Sequence, residues 1–171
     1  MTTPIKMYDY HVWANQTMLN YLKELPPDTY KQEVQSVFPS ISKAMAHIYM
    51  VDTLWIEVLC GKSLTEAFPL SNQVKEAAES ASIEELQAMF DDLSKKYQAF
   101  FSQEPDIERK VILDNPYTRK RVTSLAEMLM QVVNHGTYHR GNVSAMLRQL
   151  GHASTMTEYA LFWYQDDAEE C

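Results

Sequence analysis

Four long stretches of this chain repeat apolar residues at spacings of three and four, which is the period of an amphipathic α-helix. They cover about residues 5–25, 40–61, 82–105 and 124–151. The last two open on Ser82-Ile-Glu-Glu85 and Ser124-Leu-Ala-Glu127, and this Ser-x-x-Glu form is that of a capping box. Only four glycines interrupt the whole chain. The pattern predicts an all-α fold, and four such helices predict a four-helix bundle.

The connections between these stretches complete the expected fold. Residues 62–80 are polar and irregular, and we expect them to cross one end of the bundle as a long loop that could include one helical turn. The alternating, β-branched stretch 108–123 predicts a small hairpin, and residues 155–164 predict a short C-terminal helix. The acidic residues beyond that helix should extend into solvent: Asp166, Asp167, Glu169 and Glu170. No repeat or linker divides the chain, so residues 1–171 are expected to form one domain.

Charge and cysteine content narrow the classes of partner. The chain carries 15 basic and 23 acidic side chains, a formal charge of −8 that repels nucleic-acid phosphates and anionic lipids. No stretch approaches the ~18 apolar residues of a membrane span, and the N-terminus lacks the apolar core of a signal peptide. Cys60 and Cys171 form no CxxC pair, which argues against a disulfide framework and a cysteine zinc site. We therefore expect no nucleic-acid or membrane partner and a reducing, cytoplasmic location.

Two histidines lie four residues apart in the fourth helical stretch, inside NHGTYHRG. Residues at this spacing share one face of a helix, so the side chains of His135 and His139 can reach a single cation. The same face carries Val132 and Val143, which must point into the bundle. Imidazole nitrogens buried among apolar side chains require a partner. The pair therefore predicts either a metal site or hydrogen-bonded core histidines.

A third histidine lies beside the inward stripe of the second helix. His47 comes three residues after Ala44 and four before Val51, so its imidazole can meet those of His135 and His139. Three neutral imidazoles bind a divalent transition metal and leave a fourth position for water, a substrate or a thiolate.

Three segments resemble the DinB/YfiT-like metal-binding four-helix bundles, a family unrelated to the DNA polymerase that shares the first name. They are YHVWAN, HIYMVDTLW and VVNHGTYHRGNVSAMLRQLG, and the resemblance spans nearly the whole chain. His47, His135 and His139 fall on the three positions of the family's metal ligands. The resemblance implies a bundle that binds zinc, nickel or a similar divalent ion, frequently as a homodimer. One departure is Asn142, because HRGQ is commoner in the family than the HRGN of this chain.

The same resemblance implies a function that involves low-molecular-weight thiols such as bacillithiol and mycothiol. The first hypothesis is a metal-dependent thiol S-transferase, in which metal coordination lowers the pKa of the thiol and the thiolate attacks an electrophilic carbon. A metal-dependent hydrolase is the nearest enzymatic alternative. From a different class, the chain could be a non-catalytic metal-binding or stress-response protein. The native metal and the electrophile do not follow from the residues.

Four further residues could have roles near the predicted site: Asp52, Arg140, His11 and His152. Asp52 could accept a hydrogen bond from a ligand imidazole, but its five-residue offset from His47 favours a structural role. Arg140 could attract a carboxylate or thiolate, although a solvated or ion-paired arginine is the expectation. His11 is expected to be a surface or packing residue, and His152, which follows Gly151, a loop residue.

Two features are expected to lie away from the site. Cys60 comes 13 residues after His47. In a helix this separation corresponds to roughly 20 Å, which excludes Cys60 from the metal site. The basic run Arg119-Lys120-Arg121 is expected to be a solvated face of the hairpin, which could also steer an anionic thiol.

Overall fold

The computed structural model describes residues 2–165 of the chain. Its α-helices are α1 (Thr3–Glu24), α2 (Ile41–Leu59), α3 (Leu64–Ser80), α4 (Ile83–Gln103), α5 (Leu125–Gln149) and α6 (Tyr159–Phe162). Two strands, β1 (Lys110–Asp114) and β2 (Lys120–Ser124), lie between α4 and α5, and a short 3₁₀ turn, Pro27–Tyr30, follows α1. The acidic residues that are predicted to extend into solvent, and Cys171, lie outside the described residues: Asp166, Asp167, Glu169 and Glu170.

Four of these helices form the predicted bundle. Helix α1 packs against α4 and α5, and α2 packs against α4 and α5. Each bundle helix begins and ends within a few residues of its predicted stretch, so the helical-bundle fold class is confirmed. In the part of the chain that the structure describes, no helix is both long enough and apolar enough to cross a membrane.

The predicted crossing loop at residues 62–80 is wrong, because this segment forms helix α3, which packs against α2. Its start is fixed by a capping box between Ser63 and Glu66, the same local signal that opens α4 and α5. Pro69 lies inside the helix and removes one backbone donor. Because Pro69 is on the exposed side, water can satisfy the carbonyl group that loses its partner.

The hairpin and the C-terminal helix form where the sequence predicts them. Strands β1 and β2 pair antiparallel, with Lys110 opposite Ser124 and Asp114 opposite Lys120. Val111 on β1 packs against the core of the bundle. After α5 the chain turns back along α1, where the Tyr10 hydroxyl donates to the Thr157 carbonyl at 2.8 Å. Helix α6 then packs against α1.

The core consists of two apolar clusters with a polar layer between them. The first cluster includes Ala14, Leu54, Leu129 and Val133. The second includes Met18, Met45, Ile48 and Val143. At or beside the boundary lie seven polar side chains, which we call the polar layer: His11, Asn15, His47, Asp52, His135, His139 and Arg140. The chemistry of the molecule is therefore concentrated across the middle of the bundle.

Candidate metal centre

Three histidines from two helices meet within the polar layer. His47 comes from α2, while His135 and His139 lie one turn apart on α5. The candidate ligand nitrogens of the three residues all lie within 4.8 Å of one another. The ring centroids are 4.4 to 5.0 Å apart. The structure thus brings together the three ligands that the sequence predicts, and they could hold a metal ion. We call them the histidine trio.

The nitrogen spacing suits a tetrahedral ion. Imidazole nitrogens bind zinc at about 2.0–2.1 Å, and two of them in tetrahedral geometry are then about 3.3 Å apart. Nε2 of His47 lies 3.2 Å from Nε2 of His135, in agreement with this geometry. Three imidazole ligands leave a fourth position for an exchangeable ligand, as in catalytic zinc sites. The donor set therefore fits a divalent transition metal.

The surroundings favour the unprotonated imidazoles that metals bind. Burial, with smaller contributions from His139 and His47, lowers the pKa of His135 to about 3. Burial and then His47 lower the pKa of His139 to about 4. Burial also lowers the pKa of His47, against the opposing effect of the Asp52 charge and with a further lowering by Lys75. At neutral pH all three rings can therefore offer a nitrogen lone pair to a metal.

One buried nitrogen of the trio lacks a partner. Within residues 2–165, Nδ1 of His135 makes no hydrogen bond. Such an atom costs free energy unless a partner such as a bound water reaches it. An ion held at Nε2 of His135 would leave Nδ1 as a separate N–H donor that still requires a partner.

Two neighbouring side chains orient and cover the trio. Nδ2 of Asn142 lies 3.1 Å from Nδ1 of His139. A half-turn of this amide would present its oxygen to the ring, which could then carry its hydrogen on Nδ1 and keep Nε2 for an ion. The Phe38 ring packs against His47 and His139 at centroid distances of 5.2 and 5.3 Å. Asn142, the departure from the commoner family motif, therefore lies directly beside a predicted ligand.

A second histidine of the polar layer belongs to a different network. Nε2 of His11 is 2.7 Å from Oδ2 of Asp52, and its Nδ1 is 3.3 Å from Nη1 of Arg140. The ring can serve both groups by donating from Nε2 to the carboxylate and accepting at Nδ1 from the guanidinium. Arg140 also donates to Asn15 Oδ1 at 2.8 Å and to Thr137 Oγ1 at 3.0 Å. We call this the arginine network.

The contacts of the arginine network test what the sequence predicts for the residues around the site. His11 is only 1% exposed, so its packing role is confirmed and the surface alternative is wrong. The prediction of a solvated or ion-paired Arg140 is wrong. Arg140 is 2% exposed, and its guanidinium donates to neutral acceptors, so that it links α1 to α5. The Asp52 carboxylate bonds to His11 and not to a predicted ligand, which confirms its structural role. His152 follows α5 as a loop residue.

The contact between α1 and α5 depends on a glycine that no sequence pattern singled out. A Cβ atom at Gly136 would lie 2.5 Å from Nδ1 of His11 and still closer to its Cε1. No packed ring tolerates such a distance, so only glycine lets His11 occupy its place beside Arg140. The sequence pattern also does not single out Asn15, which is buried on α1 one turn after His11.

The remaining candidates lie apart from the trio. Cys60 follows the last residue of α2 and is exposed. Lys120 of the basic run lies on β2, where it forms an exposed ion pair of 3.1 Å with Asp114. The solvated hairpin face that the sequence predicts is therefore confirmed.

Comparisons with known proteins identify the family and the fold of the chain. A model of the DinB family matches residues 1–170. Protein DinB of Bacillus subtilis strain 168 is 47% identical over 165 residues, which are 96% of each chain. The crystal structure of a DinB-like protein from Bacillus cereus ATCC 10987 aligns with a TM-score of 0.64 and 18% identity, covering 90% of this chain and 94% of that one. At this identity the structural match supports the shared fold alone.

Proposed function

The chain belongs to the DinB family, and on that premise we propose that it is a divalent-metal-binding transferase that uses a low-molecular-weight thiol such as bacillithiol. Zinc and nickel are the metals we propose. The observation that carries the proposal is the histidine trio, whose three imidazole nitrogens converge with no thiolate or carboxylate among them. Such a donor set suits zinc, nickel or copper more than magnesium or calcium, which prefer oxygen ligands.

We infer the role of each residue in the site from its contacts. His47, His135 and His139 would hold the ion, Asn142 would fix the orientation of one ring, and Phe38 would shield two of them from water. A divalent ion at this position would lower the pKa of a coordinated thiol, so that the sulfur is a nucleophilic thiolate at neutral pH. The fourth position is what distinguishes this proposal from a purely structural metal site.

The first experiment measures metal binding to protein prepared without an affinity tag and stripped with a chelator. We expect about one equivalent of Zn²⁺ or Ni²⁺ by equilibrium dialysis, and a large loss of affinity in His139→Ala. Alanine maintains the helix, and circular dichroism checks that the variant is folded. His152→Ala is the matched control, since it removes a histidine that lies outside the trio. Undiminished affinity in a folded His139→Ala protein would overturn the three-histidine assignment.

The second experiment separates a transferase from a non-catalytic metal-binding protein. Metal-loaded protein is incubated with bacillithiol and a fluorogenic alkyl halide, and thioether formation is followed over time. We expect a metal-dependent acceleration that is absent from His139→Ala. Stoichiometric metal binding without acceleration for any thiol and electrophile tested would favour storage or sensing of the ion.

The remaining partner assignments are also proposals. We propose a homodimer in the cytoplasm, without nucleic-acid or membrane partners. Exposed apolar side chains near the C-terminal segment support an interface between copies, among them Met156, Leu161 and Trp163. Light scattering at micromolar concentration tests the dimer, and a monomer mass would contradict it without affecting the metal site.

A further inference from the structure

A cavity of about 400 Å³ opens beside His47, on the side that faces α3. Its apolar wall is formed by Phe38, Pro39 and Met50, and Phe38 is the ring that also covers His139. This volume is within the range of small-molecule sites. The cavity therefore adjoins the candidate metal centre through His47.

The charged wall of this cavity contains two lysines and one glutamate. Lys43 comes from the first turn of α2, while Lys75 and Glu79 lie one turn apart on α3. The Lys43 ammonium lies 2.5 Å from one Glu79 carboxylate oxygen, and the Lys75 ammonium lies 4.0 Å from the other. One carboxylate thus serves two ammonium groups. The lining carries a net charge of +1 in a chain whose formal charge is −8.

We propose that this cavity binds a carboxylate carried by the substrate thiol, with Lys43 and Lys75 as the residues that select it. The inference rests on the proposed function, since it needs the sulfur of the same molecule at the histidine trio. An ammonium group has three donors, so Lys43 and Lys75 can each bind Glu79 and a ligand oxygen together. Glu79 limits the repulsion between the two ammonium groups and competes with a ligand carboxylate for them.

The basic run Arg119-Lys120-Arg121 on the hairpin lies too far from the histidine trio to select a thiol that carries a carboxylate. Helix α5 begins at Leu125, directly after β2, and His135 follows ten residues later. This is about 15 Å along the helix axis, beyond the ionic screening length of physiological salt. The two lysines beside His47 are therefore the cations in position to contact a small ligand at the trio.

The test uses the full-length protein loaded with Co²⁺, which reports sulfur coordination through a near-ultraviolet charge-transfer band. The probes are 3-mercaptopropionate and its neutral counterpart 3-mercapto-1-propanol. We expect 3-mercaptopropionate to bind about threefold to tenfold more tightly, which corresponds to one or two partly exposed charge pairs. Added salt should reduce the ratio, because the lysine side chains are 40% and 55% exposed.

Substitutions in the cavity test whether its lysines cause the preference for 3-mercaptopropionate. Lys43→Gln/Lys75→Gln should bind both thiols equally, whereas Glu79→Gln should raise the ratio by removing the competing carboxylate. Lys31→Gln/Lys62→Gln is the matched control, because Lys31 donates to the Ser80 carbonyl and Lys62 pairs with Glu57.

The two proposals fail in different ways. Co²⁺ uptake with equal affinity for the two thiols in the wild-type protein would overturn the carboxylate inference and leave the metal site intact. A preference that survives in folded Lys43→Gln/Lys75→Gln would also overturn it. Absence of Co²⁺ uptake would overturn the proposed function, and the inference with it.

Discussion

His11 and His135 lie in the same polar layer, but their ring nitrogens differ in their hydrogen-bond partners. Both nitrogens of His11 have partners, since Asp52 accepts from Nε2 and Arg140 donates to Nδ1. His135 has another imidazole near Nε2 and, within residues 2–165, no partner at Nδ1. The arginine network pairs its histidine with opposite charges on either side. The histidine trio places three rings of the same kind against one another.

The difference distinguishes a structural polar cluster from a cluster that could hold a metal ion. The His11 imidazole lies between a carboxylate and a guanidinium, and both of its nitrogens are engaged there, although within residues 2–165 Asp52 Oδ1 and Arg140 Nε have no hydrogen-bond partner. Clustered imidazoles whose pKa values are lowered by burial are available for a cation. The two clusters should therefore respond in opposite ways to the same substitution.

His11→Leu should produce the largest loss of stability. It would leave the Asp52 carboxylate and the Arg140 guanidinium buried without the ring that joins them, at a cost of about 3–5 kcal/mol in the free energy of unfolding. Urea denaturation of metal-free protein measures the change. His152→Leu serves as the control, because His152 is half-buried in a loop and contacts Thr29 Oγ1 through a single long hydrogen bond of 3.3 Å, so the substitution should cost about 1 kcal/mol or less. Equal effects of the two substitutions would contradict a structural role for the arginine network.

Gly136→Ala should have the next largest effect, a loss of about 1–3 kcal/mol from overpacking against the His11 ring. Gly141→Ala on the same helix is the control. A Cβ there meets nothing within 4 Å, so helix propensity should raise stability by about 1 kcal/mol. Thermal unfolding of both variants checks the opposite signs. A stabilised Gly136→Ala protein would show that His11 does not depend on the close approach of α5.

His135→Leu should have a smaller effect of the opposite sign in metal-free protein. Removal of the unpartnered Nδ1 should raise the free energy of unfolding by about 1 kcal/mol. The same variant should lose the stabilisation by Zn²⁺, about 2.7 kcal/mol for the wild type when free metal is 100 times its Kd. Urea titrations with chelator and with buffered Zn²⁺ measure both quantities. A marked loss of stability in chelator would place His135 with the structural histidine.

Cys60→Ala should have the smallest effect. Cys60 is exposed at the end of α2, apart from both clusters, so stability should change by about 0.5 kcal/mol or less. Metal affinity, measured by the same dialysis as for His139→Ala, should equal that of the wild type. Weaker metal binding would show that a thiol contributes to the site, and a fourth ligand would have to be added to the trio.

The pairing of His135 and His139 could be predicted because its information is local: the two residues share a helix face by spacing alone. His47 lies on another helix, and it was joined to the pair by its place beside the inward stripe of α2 and by the resemblance to the DinB/YfiT-like bundles. Helix starts at Ser82 and Ser124 were predicted because their signals are also local. The missed helix α3 carried the same Ser-x-x-Glu signal at Ser63, but Pro69 and the polar composition obscured it.

The arginine network could not be predicted, because it depends on how three helices pack. The sequence places His11, Asp52 and Arg140 far apart, and no spacing rule joins residues on separate helices. An arginine is also rarely fully buried, so its expected environment was water or an acidic partner. The close contact at Gly136 becomes evident only when α1 lies against α5. Tertiary packing therefore decides which histidines are structural.

Helix α5 supplies adjacent residues to both clusters, with His135 and His139 on one face and Gly136 and Arg140 on the next. Each added residue rotates the rest of a helix by about 100°. One insertion or deletion inside α5 before His135 would therefore turn His135 and His139 away from His47 and move Arg140 away from His11 in the same event. Substitutions can accumulate here one at a time, but a change of length disrupts both clusters. The middle of α5 is thus a segment whose length evolution is expected to keep fixed.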